Sequence, residues 1–189
     1  WVASEKKLGN PALEALVKTN DNPVLKQALR WTTEVNERVA DMVYGIPPFP
    51  YVRESLDKMN NFADVIVVSQ TPNEALVREW EEHGIDKKVK VIAGQEMGTK
   101  ADHLRLAKAD HYADDKVLMI GDAFGDYKAA QANNVLFYPI NPGHEEDSWQ
   151  RFYEEALDRF AAGTYAGSYQ DALVAEFEKY LPEIPPWNI

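Results

Sequence analysis

The stretch KVLMIGDAFGDYKAAQANNV, Lys116 to Val135, decides how the chain folds. Val117 to Ile120 are apolar throughout, which suits a strand buried on both faces. The run stops at Gly121, and two acids follow, Asp122 and Asp126, separated by Ala123, Phe124 and Gly125. DYKAAQAN then reads as a helix and VLFYPI as the next strand. Outward from this unit the alternation continues. ADVIVVS reads as a strand ending on Ser69, VKVIAG as another, and TKADHLRLAKADHYA as the helix between VKVIAG and KVLMIG. TPNEALVREWEEHG carries helix signals at both ends: Thr71 as N-cap, Pro72 at the first position, Glu74 completing a capping box and Gly84 as the stop. Strands alternating with helices predict an α/β domain with a mainly parallel sheet.

The flanks are helical. NPALEALVK places Asn10 as N-cap and Pro11 at the first turn, and NPVLKQALRWTTEVNERVADMVYG repeats the device with Asn22 and Pro23 before Gly45. Val24, Leu25, Ala28, Leu29, Val35, Val39, Met42 and Val43 recur at helical spacing and predict one buried face. GIPPFPYV breaks the pattern as a connector, and YVRESLDKMNNF reads as a further helix. After the last strand come two amphipathic helices, about Glu145 to Ala161 and Tyr169 to Leu181, then a proline-rich end. Trp149, Phe152, Tyr153, Phe160 and Tyr165 are expected to pack that tail onto the domain. The division follows: a helical region over 1–48, and an α/β core over 49–189 that includes the C-terminal helices at 143–189.

The composition excludes several classes. The chain has 189 residues, 45% hydrophobic and 27% charged, enough for a real core. No apolar run spans a bilayer. With no cysteine there is no disulfide and no thiolate metal site. A net charge of -11 argues against nucleic acid and anionic membranes as partners. The excess is concentrated at the end, where His144 to Ile189 hold ten acids and three bases. The chain begins at Trp1 with WVASEKK, which is no signal peptide, and it reads as cytoplasmic.

In a parallel sheet, ligands bind at the carboxyl ends of the strands. Those ends present Ser69, then Thr99 and Lys100 opening a helix, then Asp122 and Asp126. A hydroxyl and an ammonium suit phosphoryl oxygens, and two hard carboxylates suit magnesium. Each residue also fits a plainer role. Asp122 fits a helix N-cap, Ser69 a turn residue, and Lys100 a solvated surface lysine. Two acids at one strand end repel unless a cation is near, and a lysine in the first turn of a helix opposes the macrodipole unless an anion is near. GQEMGTKA is no P-loop, because its glycine spacing is one short and Ala101 replaces the hydroxyl after the lysine. DAFGDYKAAQAN is no EF-hand loop, since Phe124 stands at a ligand position. His83, His103, His111 and His144 show no zinc spacing. His103 and His111 are expected in one helix as surface or boundary residues.

Taken together, VIVVS, GTKADHL and VLMIGDAFGD resemble, in order, three of the four motifs of the haloacid dehalogenase-like (HAD) hydrolases, in particular their phosphatases, over about Pro50 to Pro142. The resemblance implies a Rossmann-like parallel sheet with a small helical cap, formed here by the helices before GIPPFP. It implies that Ser69, Gln70 and Lys100 bind the phosphoryl group, that Ser69 and Lys100 serve catalysis, and that Asp122 and Asp126 hold Mg2+. The substrate class implied is a small phosphorylated metabolite, hydrolysed through an aspartyl-phosphate. A phosphomutase, a 2-haloacid dehalogenase and a catalytically inactive binding protein are the alternatives.

The first family motif, a strand ending in DxD, has no counterpart here. Asp21 and Asp41 lie in helical sequence with no apolar strand before them. In the family that strand lies between those matching VIVVS and VLMIG, both apolar enough to need pairing partners on each edge. The expectation is a nucleophile strand ahead of Trp1. The cap offers Trp31 and Tyr44 as pocket residues, although both fit a core equally well.

Overall fold

The computed structural model describes residues 1–4, 9–42 and 44–182; the side chains of residues 39–41 lie outside the description. The expectations for Val43 and for the proline-rich end therefore fall outside the described residues, as do those for the side chains of Val39 and Asp41. The chain divides into two compact units, Trp1–Ile46 and Pro47–Ile189.

The first unit is a pair of helices, α1 (Asn10–Thr19) and α2 (Pro23–Met42). At the start of α2 the Asn22 side chain accepts the Val24 N–H at 2.9 Å, the expected cap. In α1 the cap position falls on Gly9, one residue before the expected Asn10, and no side chain bonds it. Gly45 has φ +67°, the left-handed geometry that suits the predicted stop. Trp31 and Tyr44 are exposed, so neither is a core residue.

The second unit is α/β. Its elements run α3 (Val52–Met59), β1 (Ile66–Val68), α4 (Asn73–Glu82), β2 (Val91–Ala93), α5 (Lys100–Lys108), β3 (Leu118–Gly121), α6 (Phe124–Ala132) and β4 (Leu136–Pro139). The tail continues as α7 (Glu145–Arg151), a π-helical turn at Phe152–Ala156, α8 (Leu157–Ala161) and α9 (Ser168–Tyr180). All strand pairs are parallel, as expected, but they form two sheets rather than one. β1 pairs with β2 in the register Val67 to Ile92, and β3 with β4 in the register Ile120 to Tyr138. Among the described residues no strand joins β1 to β3.

β4 organises the core. Phe137 and Tyr138 are successive and both fully buried, so they face opposite sides of the sheet. Phe137 packs with Leu104, Met119, Ala129, Ala130, Val174 and Phe177. Tyr138 packs with Leu56, Met59, Ile140, Phe152, Leu157 and Tyr165. The aromatic tail thus binds to the domain as predicted. The outer edge of β4 is closed by side chains: Gln170 Oε1 accepts the Phe137 N–H at 2.9 Å, and the Tyr165 hydroxyl donates to the Phe137 carbonyl at 2.8 Å. That edge offers no template for another strand. None of the described helices is long and apolar enough to cross a membrane.

Candidate active site

Three loops follow the strands, and hydrogen bonds tie them in series. β1 is followed by Ser69, whose N–H continues the ladder to the Ala93 carbonyl at 2.9 Å. Its hydroxyl oxygen accepts the Thr71 N–H at 3.1 Å, a local turn that fixes the side chain. Gln70 is exposed, and its amide nitrogen donates to the Gly98 carbonyl at 3.1 Å. Gly98 has φ +129° and ψ -166°, backbone geometry reserved for glycine. Two residues later Lys100 opens α5.

The expected capping box of Thr71 and Glu74 is not made. The position before α4 is Pro72, with no side-chain cap bond. The cap comes from across the rim, where Glu96 Oε2 accepts the Asn73 N–H at 3.0 Å. In return Asn73 Oδ1 accepts the Gly94 N–H at 3.2 Å, and the Thr71 carbonyl accepts the Gln95 N–H at 3.0 Å. A side chain at Gly94 would lie 2.6 Å from the Asn73 nitrogen, so only glycine lets the two loops meet. The N–H groups of Glu96 itself and of Asn73 hold the Glu96 carboxyl below its ordinary range. The sequence signal for this lock was the glycine after β2, with an acid two residues beyond it.

The start of α5 is a complete capping box. Thr99 Oγ1 accepts the Asp102 N–H at 3.2 Å, and Asp102 Oδ2 accepts both the Thr99 hydroxyl at 2.7 Å and the Thr99 N–H at 3.2 Å. These bonds hold the Asp102 carboxyl below its ordinary range. His103 lies one residue on and is buried, against the surface or boundary placement expected for it. Neither of its ring nitrogens has a partner among the described residues. It follows the helical face that also buries Leu104, a spacing readable from the sequence. His111 lies beyond the end of α5 and is exposed, so the two histidines do not share a helix.

At the third strand end, α6 starts at Phe124, and Asp126 rather than Asp122 does the capping: its Oδ2 accepts the Ala123 N–H at 3.2 Å. Asp122 is exposed on the loop. Asp126 is only 1% exposed, and its other oxygen is bonded by the ammonium of Lys100. Gly121 makes room for it, since a Cβ there would collide with Asp126 Cβ. Lys100 and Asp126 therefore answer each other's sequence anomaly. The cation that opposes the α5 dipole has its anion, and the buried acid has its cation.

The series runs from Ser69 and Gln70 through Gly98 to Lys100 and on to Asp126. It collects a hydroxyl, an amide, an ammonium and a buried carboxylate, with the exposed Asp122 on the loop just before the helix that carries the last. Among the described residues no group of three histidine, aspartate or glutamate side chains forms a metal cage.

The family model described as haloacid dehalogenase-like hydrolase matches residues 3–139 of this chain. No curated protein and no solved structure matches it. The family match covers well over half of the sequence, strand ends and motifs included. The chain belongs to the haloacid dehalogenase-like hydrolases.

Proposed function

We propose that the chain carries the phosphoryl-binding and metal-binding residues of a magnesium-dependent phosphomonoester hydrolase acting on a small phosphorylated metabolite. The observation that supports this reading is the contact between Lys100 and the buried Asp126, reached from Ser69 through Gln70 and Gly98. Buried charge is costly to build and finds its use where an ionic ligand is handled.

The donor set suits magnesium. Asp122 and Asp126 supply hard oxygens, and this ion commonly takes one or two carboxylates, with water and substrate oxygens completing its shell. Bound there, it would neutralise charge on the phosphoryl group. The chain's own residues do the rest. The Ser69 hydroxyl oxygen is occupied by the Thr71 N–H, and its proton is free to donate to a phosphoryl oxygen. Lys100 leaves Asp126 and turns to the same group, stabilising charge that develops as the ester bond breaks. Gln70 holds the Gly98 turn that aims α5. The nucleophile in this reading is an aspartate on a strand seated between β1 and β3, a position that no described residue fills. Its attack on phosphorus would give an aspartyl-phosphate, which water then cleaves.

The test is release of phosphate from an aryl phosphate by the protein bearing that strand, with and without magnesium. Activity that requires magnesium is expected, and full activity in Asp122→Ala would sink the assignment. In the present chain, inorganic phosphate with magnesium should shift the amide resonances of Ser69 and Lys100, and unchanged spectra would count against the site. Release of chloride from a 2-chloroacid without magnesium would instead identify a dehalogenase.

A further inference from the structure

α2 has two apolar faces, and only one of them is withdrawn from solvent. Leu25, Ala28, Leu29 and Thr32 are half-buried. Val24, Trp31, Val35 and Met42 are 69%, 65%, 38% and 74% exposed. At 3.6 residues per turn these four fall within about 20° of one line along the helix. With Ala28, at the boundary of the two faces, and Arg38 they complete an alternating spacing of four and three residues: 24, 28, 31, 35, 38, 42. That is the seam of a coiled coil, apolar at every position but one.

We propose that α2 pairs antiparallel with α2 of a second copy of the chain. The seam is self-complementary in that direction. A two-fold axis at position 33 sets Val24 against Met42 of the other copy, Trp31 against Val35, and the smallest residue, Ala28, against the longest, Arg38. The stem of Arg38 fits over Ala28 while its charge stays at the rim. One polar residue in a seam also fixes register.

Charge selects the same direction. Residues 23–32 hold Lys26 and Arg30 and no acid, whereas residues 33–42 hold Glu34, Glu37 and Asp41 with Arg38. The halves carry +2 and -2. Lys26 pairs with Asp21, just outside the helix; counting that acid still leaves +1 against -2. This layout opposes the helix's own macrodipole, with bases toward the N-terminus and acids toward the C-terminus. An antiparallel partner sets each half against its opposite and opposes the two dipoles, whereas a parallel partner sets like against like.

The contact is modest. A 20-residue helix is about 30 Å long, which is short for an interface of the standard size, about 800 Å² per partner. A dissociation constant on the order of tens of micromolar is therefore expected.

The experiment is sedimentation velocity from about 5 to about 500 µM, across that expected midpoint. A reversible shift from monomer to dimer is expected, with Trp31→Glu/Val35→Glu remaining monomeric and its circular dichroism unchanged. The chain has no cysteine, so single cysteines report register cleanly. Oxidation of an equimolar mixture of Ala28→Cys and Arg38→Cys should give the mixed disulfide, and Ala28→Cys alone little or none. A monomer across the whole range, a dimer that survives the double substitution, or preferential linkage of two Ala28→Cys chains to each other would each overturn the proposal.

Discussion

The Lys100 ammonium is bonded to the carboxylate of Asp126, and the acid is almost completely buried while the lysine keeps about a quarter of its side chain, 26%, in solvent. Lysine can thus leave the pair for another anion at lower cost than aspartate can leave its niche. Removing it without a substitute leaves a buried charge held, among the described residues, only by the Ala123 N–H. Lys100→Met is expected to lower stability by about 1.5–3 kcal/mol, the range for a hydrogen bond to a charged group. Asp126→Asn in the Lys100→Met background should restore part of the loss. Urea denaturation of the two single variants and the double variant measures the coupling.

Gly121, at the end of β3, and Gly125, in the first turn of α6, separate two effects of adding one methyl group. At Gly121 the new carbon would lie within 2.5 Å of Asp126 Cβ and Cγ. Gly121→Ala is expected to cost about 1–3 kcal/mol through overpacking and to displace the carboxylate. At Gly125, inside α6, nothing lies within 4 Å of the added carbon. Gly125→Ala should be neutral or stabilising by up to about 1 kcal/mol. Thermal melts of the two variants should therefore move in different directions.

Glu96 gives a pH signature. Its folded carboxyl lies below the ordinary value of 4.5 because N–H groups bond to its ionised form. Its contribution to stability is therefore complete above 4.5 and lost as pH falls through the lower folded value. A carboxyl ¹³C titration of Glu96 should show a midpoint below 4.5, and Asn73 amide exchange should gain a protection loss in the same window. A midpoint at or above 4.5 would show that the carboxylate does not cap α4.

Tyr165 tests the closed edge of β4. Its hydroxyl donates to the Phe137 carbonyl inside the core, so Tyr165→Phe leaves that carbonyl unpaired. The expected cost is about 1–2 kcal/mol, read from the denaturation midpoint with an unchanged slope.

Residues with local causes were legible in the sequence. The strands of the second unit could be read because apolar runs stop at Gly94 and Gly121, or at Ser69, just where helix-start signals begin. Asn22 could be read as a cap because its partner is two residues away. Thr71 could not be judged so, because the cap of α4 is supplied by Glu96, twenty-three residues beyond the Asn73 N–H that it accepts. Lys100 and Asp126 each showed an electrostatic anomaly, but no local rule says that one resolves the other across twenty-six residues. The division into two sheets was not read from the sequence, which placed VIVVS and VLMIG in one parallel sheet with a further strand between them. His103 was misplaced because a polar residue on a helix reads as exposed until its face is matched to Leu104.

The two strand-end glycines also bear on how this site can change over time. Gly94 lets main chain rest against the main chain of Asn73, and Gly121 lets α6 rest against the end of β3. The path of the rim is thereby set with few side chains involved. Exposed Asp122 can be exchanged for other chemistries without redrawing that path, whereas the glycines, which offer no chemistry at all, are the positions least open to exchange. A scaffold built this way can drift in what it recognises while keeping the geometry of its rim.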